Sequence, residues 1–136
     1  MQLSPYLNFD GRCEAAFKFY AQCLAGKIET MATYESTPLA DQVPAEWRSK
    51  IIHATLLAGP NVLMGCDVPP GRYDAPKGFS VTIGLSDLAE AERIFKALAE
   101  NGWVTMPMQK TFWAAGFGML TDQFGIPWMI NCGHAA

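Results

Sequence analysis

The spacing of apolar and polar positions changes period several times along this chain, and it does so in the same order twice. Leu3 to Phe9 alternates, with Pro5 near its start, which predicts a strand. The period then lengthens. Ala16, Phe17, Tyr20 and Leu24 fall on one helical face, predicting a helix over 13–25 that Gly26 stops. Segments 27–34, 51–58 and 61–66 read as strands, with Gly59 and Pro60 turning the chain between the last two. Downstream, 79–85 reads as a strand. The segment 88–101 reads as a helix carrying Ala91, Ile94, Phe95 and Leu98 on one face. Asp87, with Glu90 three residues on, has the spacing of a capping box, and Gly102 closes the helix. Segments 103–108, 115–120 and 128–132 supply the remaining strands. A turn is expected at Asp122 to Gly125.

The order is therefore βαβββ, repeated. We expect an α+β fold of two such modules within one domain spanning 1–136. Module one covers about 1–67 and module two about 78–133, joined by the loop 67–78 with its three prolines and two glycines. The segment 35–50 interrupts the first module and is long for a strand connection. It reads either as a lid with Trp47 as an apolar plug or as a surface excursion with a single helical turn.

Composition narrows the classes. Half the residues are apolar and 17% are charged, which excludes a disordered chain. The net charge of −3 and the lack of a basic patch argue against a nucleic-acid partner. No apolar run reaches the roughly 18 residues of a membrane span, so no membrane partner is expected. The start, MQLSPYLNFDG, lacks the basic and apolar regions of a signal peptide, and a cytoplasmic location is expected. The cysteines, Cys13, Cys23, Cys66 and Cys132, form no C-x-x-C pair and read as buried thiols in a reducing compartment.

Several motifs carry a family resemblance. In the first half they are Pro5-Tyr6-Leu7, Phe9, Gly11, Ala15-Ala16, Phe19-Tyr20, His53-Ala54, Leu56, Leu63-Met64 and Asp67. In the second they are Thr111-Phe112-Trp113, Phe117 to Asp122, Phe124-Gly125 and Trp128 to Asn131. Together they resemble the vicinal oxygen chelate superfamily of glyoxalase I, bleomycin-resistance proteins, fosfomycin-resistance enzymes and extradiol dioxygenases, within its PhnB-like branch. The resemblance covers nearly the whole chain, and the last motif is the most specific. It implies that each module curls its four strands into half of a glyoxalase-type cup, commonly within a homodimer. In the enzymes of the superfamily it also implies a divalent metal in the cup, held by His, Glu or similar residues on the first and last strands of each module.

This chain departs from that metal pattern. Aligned on the helices, the usual ligand positions fall on Ser4, on Ser80, near Leu63 and Gly65, and on Met129. A slip of one residue would offer Asn8, Thr82 or Asn131. Hydroxyls, amides and thioethers are poor ligands for a hard or borderline divalent ion. No metal and no cofactor are therefore expected. Members of this branch are sometimes labelled quinone methyltransferases, but Asp10-Gly11-Arg12-Cys13 is not the glycine-rich loop that a nucleotide-like methyl donor calls for.

Candidate ligand-binding residues are Tyr6, Asn8, His53, Met64 and Trp113. Tyr6 and Asn8 alternate onto the face expected to line the cup. Met64 offers a flexible apolar contact there, and Trp113 an aromatic wall. Core or dimer-interface packing is the other reading for Trp113 and also for Trp128. His53 sits within a strand, with Thr55 and Leu57 on its face. It reads as a weak candidate general base or as a structural histidine. His134, near the chain end, is expected to be idle, and Arg72 is a solvated loop residue or a contact for an anionic group. The expected function is metal-free binding of a small-molecule ligand. An enzyme of glyoxalase or dioxygenase type with an atypical metal site is the alternative, and a protein-interaction dimer with a vestigial site is a third.

Overall fold

Residues 1–133 are described here, in a computed structural model. The expected His134 therefore lies outside the described residues. The chain divides into two units between Asp74 and Ala75, and each holds one βαβββ module. The α+β expectation is met. No helix among the described residues is long and apolar enough to cross a membrane.

The first unit runs β1 (Tyr6–Phe9), α1 (Cys13–Cys23), β2 (Lys27–Thr33), β3 (Ile51–Ala58) and β4 (Asn61–Asp67). Its sheet has the order β1-β4-β3-β2, with β1 parallel to β4 and the other pairs antiparallel. Alternation sends Leu7, Phe9, Leu63, Ala54 and Leu56 to one buried face, where α1 packs. Phe9, Phe17 and Tyr20 meet there with ring centroids 6.0–6.5 Å apart, in edge-on and tilted geometries that add to their burial. Burial of Phe17 and Tyr20, both wholly inaccessible, stabilises the unit by about 1.5–3 kcal/mol per side chain.

The second unit repeats the plan with β5 (Val81–Leu85), α2 (Leu88–Ala99), β6 (Trp103–Gln109), β7 (Gly116–Thr121) and β8 (Pro127–Cys132). The sheet order is β5-β8-β7-β6, again with one parallel pair, β5 and β8. Ala91, Ile94, Phe95 and Leu98 are buried on α2, as their spacing predicts. Leu120, Trp128 and Ile130 are buried on the strands. The two units share a packing device. A Cβ at Gly65 would fall 2.9 Å from the Phe17 ring, and one at Gly118 would fall 2.7 Å from Phe95. Each sheet thus leaves out one side chain so that a helix phenylalanine can lie against its backbone.

The helix ends differ from expectation in an instructive way. Gly26 and Gly102 are not the residues that turn left-handed; Ala25 (φ 51°) and Asn101 (φ 59°) are. The glycines are needed because a Cβ there would meet the backbone carbonyls of Leu57 (2.8 Å) and Thr121 (2.5 Å), where the next strand begins. On α1 the buried residue of the last turn is Cys23, whereas Leu24, expected on that face, is the half-buried C-cap. The capping box forms by half. Asp87 accepts from the Glu90 amide at 3.2 Å, but the Glu90 carboxylate turns to Arg93 at 2.6 Å instead of reaching back.

The segment 35–50 is neither a loose excursion nor a single turn. It forms three short 3₁₀ turns over 34–36, 38–42 and 45–47. The Tyr34 amide donates to Lys50 O and the Glu35 amide to Arg48 O, which closes the segment on itself. Trp47 is 8% exposed, and its indole ring lies against Gly11, at the turn from β1 into α1. Lys50 Nζ donates to Gly11 O at 3.0 Å. Trp47 thus packs against the β1–α1 turn.

Candidate functional site

The face of the first sheet opposite α1 gathers four of the five candidate residues. Strand register sets Tyr6 on β1 beside Met64 on β4, and Met64 beside Thr55 on β3. Asn8 stands beside Cys66 in the next row of that face. His53, two residues before Thr55, completes the group and pairs across to Ala32 on β2. Because the side-chain period of a strand is two, these residues share one face whenever Leu7, Leu63 and Ala54 share the other. This follows from the hydrophobic pattern alone.

Specific polar contacts bind the group together. The Tyr6 hydroxyl and His53 Nδ1 lie 3.1 Å apart, and His53 Nε2 lies 3.1 Å from Thr55 Oγ1. The two rings stack, with centroids 5.8 Å apart and planes at 29°. Cys66 Sγ donates to Asn8 Oδ1 at 3.7 Å. Burial, reinforced by the neighbouring Cys66, pushes the Tyr6 phenol well above its ordinary pKa, so it stays protonated. Burial also raises the Cys66 thiol, which is therefore no thiolate nucleophile. Thr55 and Cys66 are the residues that sequence reasoning left out of the candidate set. Thr55 was legible as a face-mate of His53; Cys66 was masked by the reading of every cysteine as core.

Trp113 belongs to the second unit, in the loop between β6 and β7. It is 48% exposed and meets Phe112 and Phe117 edge-on at 4.8 and 5.3 Å. Trp128 is core, 1% exposed, with its indole N–H donated to Asp122. Arg72 lies in the joining loop, where its amide closes a turn onto Pro69 O.

The expected metal positions resolve as follows. Ser4 and Ser80 precede the first strand of their modules. Leu63 and Gly65 face α1, so they are not on the open face at all. The residues that do face away from the helices are Met64 and Cys66 on β4, Thr82 on β5, and Met129 and Asn131 on β8. Thr82 Oγ1 donates to Met129 Sδ at 3.6 Å, and Asn131 Oδ1 is buried without a hydrogen-bond partner among the described residues. Among the described residues no group of three or more His, Cys, Asp or Glu side chains stands together. One imidazole, that of His53, with thioether, amide, hydroxyl and a protonated thiol around it does not fit a divalent Lewis-acid centre.

Asp67 marks the other end of the same strands. It is 1% exposed and spends both carboxylate oxygens on main-chain amides. Oδ1 accepts from Gly11 and Cys13, and Oδ2 from Ile51, all at 2.9 Å. The carboxylate thus takes the first amide of α1, that of Cys13, and the Gly11 amide just before it, while the helix's own N-cap residue Arg12 supplies no side-chain cap. This is the place where a phosphate-bearing cofactor would dock in a strand–loop–helix site, and here a protein carboxylate takes those donors.

Comparison with known proteins agrees with this architecture. Residues 1–131 match the model of a family described as 3-demethylubiquinone-9 3-methyltransferase. The chain is 36% identical to the protein YjdN of Escherichia coli K12 over 140 aligned residues, covering 96% of this chain and 95% of that one. It is 46% identical to the protein PA1353 of Pseudomonas aeruginosa, whose crystal structure superposes with a TM-score of 0.91 over 99% of each chain. A Bacillus cereus structure titled as a putative 3-demethylubiquinone-9 3-methyltransferase, PhnB protein, is 22% identical. It shares the fold with a TM-score of 0.81 over 99% of this chain and 100% of that one. Glyoxalase-related domain structures at 13% and 14% identity share the fold with TM-scores of 0.66 and 0.63. The chain therefore belongs to the family described as 3-demethylubiquinone-9 3-methyltransferase, and it shares the fold of glyoxalase-related domains.

Proposed function

We propose that the protein binds a small organic molecule without the help of a metal, as a cytoplasmic homodimer, with the helix-free face of the first sheet as the principal contact. The observation that carries this reading is the hydrogen-bonded row Tyr6–His53–Thr55 on a face that also holds Asn8 and Met64. A few convergent polar groups around a flexible apolar side chain are what an organic ligand needs. Trp113, in the second unit, is proposed as an aromatic ligand contact of that unit. The cytoplasmic part rests on four free cysteines, three of them buried.

Catalysis by the same row is the second reading. A phenol held protonated beside an imidazole that is itself backed by a hydroxyl has the parts of a proton relay. The methyl transfer in the family description finds no support in the residues. The Gly11 and Cys13 amides at the entry to α1 already serve Asp67, and the loop before the helix lacks the glycine pattern of a nucleotide-like cofactor.

The test is a small-molecule screen by thermal shift, followed by titration of hits against Tyr6→Ala and Trp113→Ala. Both variants are expected to fold and to bind more weakly. Unchanged affinity in both would remove these residues from the site. Turnover that falls away in His53→Gln while binding persists would favour the catalytic reading.

A further inference from the structure

Resting on the proposed site, we infer that its ligand is neutral and offers a single hydrogen-bonding oxygen, and that Tyr6, His53 and Thr55 form a relay that reverses direction to suit a carbonyl or a hydroxyl there. Two observations carry this, the charge inventory of the face and the connectivity of the row.

On β1, β4 and β3 the side chains of this face are Tyr6, Asn8, Met64, Cys66, His53 and Thr55, continued by Val62 and Leu57. None is a carboxylate, an ammonium or a guanidinium. On β2 the register assigns Lys27 to the same face, opposite Leu57 and far along β3 from His53, and the exposed Glu29 stands in the bulge between Ile28 and Thr30. Asp67, although on β4, points to the α1 side and is saturated by amides. A phosphate or carboxylate seated here would be desolvated with no opposite charge beside it, whereas a neutral oxygen needs one hydrogen bond.

The row can supply that bond in either sense. A neutral imidazole donates from one nitrogen and accepts at the other. In one arrangement Tyr6 donates to Nδ1 and Nε2–H donates to Thr55 Oγ1, which leaves the phenol oxygen free to accept from a ligand hydroxyl. In the other, Thr55 donates to Nε2 and Nδ1–H donates to the Tyr6 oxygen. The phenol O–H then turns outward to a ligand carbonyl. The same heavy-atom separations of 3.1 and 3.1 Å serve both. Thr55 is 8% exposed and is the positioning residue, since it alone can both give and take at Nε2. Burial raises the Tyr6 pKa, so the phenol keeps its proton in both arrangements.

The test is a fragment library split into neutral carbonyl and hydroxyl compounds and their carboxylate or phosphate counterparts, read on full-length protein by the Met64 methyl and His53 ring signals in NMR. Neutral fragments should perturb this face and their anionic counterparts should bind at least tenfold more weakly. Tyr6→Phe should weaken neutral hits about fivefold to tenfold. Carbonyl hits should shift the His53 ¹⁵N signals toward the Nδ1–H form and hydroxyl hits toward the Nε2–H form. Thr55→Val should abolish that difference while the spectrum elsewhere stays native. Anions binding this face as tightly as neutral fragments would overturn the inference and leave the site standing, as would one tautomer for both ligand kinds. No fragment of either half perturbing this face would overturn the site itself.

Discussion

The indole N–H of Trp128 donates to Asp122 Oδ2 at 2.8 Å, while Asp122 Oδ1 accepts from the amides of Phe124 and Ile126 at 2.8 and 3.0 Å. One buried carboxylate therefore shapes the β7–β8 turn and ties it to the largest core side chain of the second unit. Trp128→Phe keeps most of the apolar area but leaves Asp122 Oδ2 buried without this donor. We expect it to lower the stability by about 2–3 kcal/mol, read as the urea midpoint. A loss below about 0.5 kcal/mol would mean that the hydrogen bond contributes little.

Asp67 plays the same part with three amides in the first unit, where it fastens α1 and the start of β3 to the end of β4. Asp67→Ala removes every one of those acceptors and strands buried donors. An expected cost of about 3–5 kcal/mol follows. Circular dichroism melts would show it, and a variant as stable as the parent would contradict the role.

Gly65→Ala tests the packing of α1 on its sheet. The new methyl would fall 2.7 Å from Leu7 O and 2.9 Å from the Phe17 ring, and a backbone carbonyl cannot step aside. Overpacking of this kind costs about 1–3 kcal/mol. Phe17→Leu in the same chain should return part of the loss, since the other contact is with backbone.

Stability should fall in alkali. The Cys13 thiol is raised above its ordinary value of 9.0 by burial first and then by the charge of Asp67, and Tyr6 is raised likewise from 10.0. Folding therefore favours the protonated forms. That contribution is fully present below the unfolded-state value and is lost as pH climbs from about 9 toward the folded value, because the unfolded chain then releases protons that the native one retains. The urea midpoint should drop between pH 8 and pH 10.5, and Cys13→Ala should show a shallower drop. An identical pH slope in the variant would assign the effect elsewhere.

Metal content offers a further check on the donor set. After incubation with Zn, Ni, Mn or Fe(II) and desalting, tag-free protein should carry well under one equivalent by mass spectrometry, because the open-face donors are a single imidazole, His53, with thioethers, amides, hydroxyls and a thiol around it. A stoichiometric ion would return a metal-dependent enzyme to the front.

Much of this was legible in the chain because it depends on period. Alternation at Leu7, Phe9 and Leu63, and helical spacing at Ala16, Phe17 and Tyr20, determined the elements, their order, their duplication and the sharing of one face by Tyr6, Asn8 and Met64. Element ends were less legible. Ser4 and Ser80 fall outside their strands, and Ala25 and Asn101, not the glycines after them, take the left-handed turn. Close approach of backbone to backbone leaves no mark on the hydrophobic pattern. Residues far apart in sequence became partners only through strand order. Setting β4 between β1 and β3 brings Tyr6 to His53, and the return of β4 to the start of α1 brings Asp67 to Gly11 and Cys13. Sequence fixes which side of a strand a residue occupies, since that depends on neighbours two positions away. Which strand lies alongside is decided by the packing of the whole sheet, and the Tyr6–His53–Thr55 row exists only at that level.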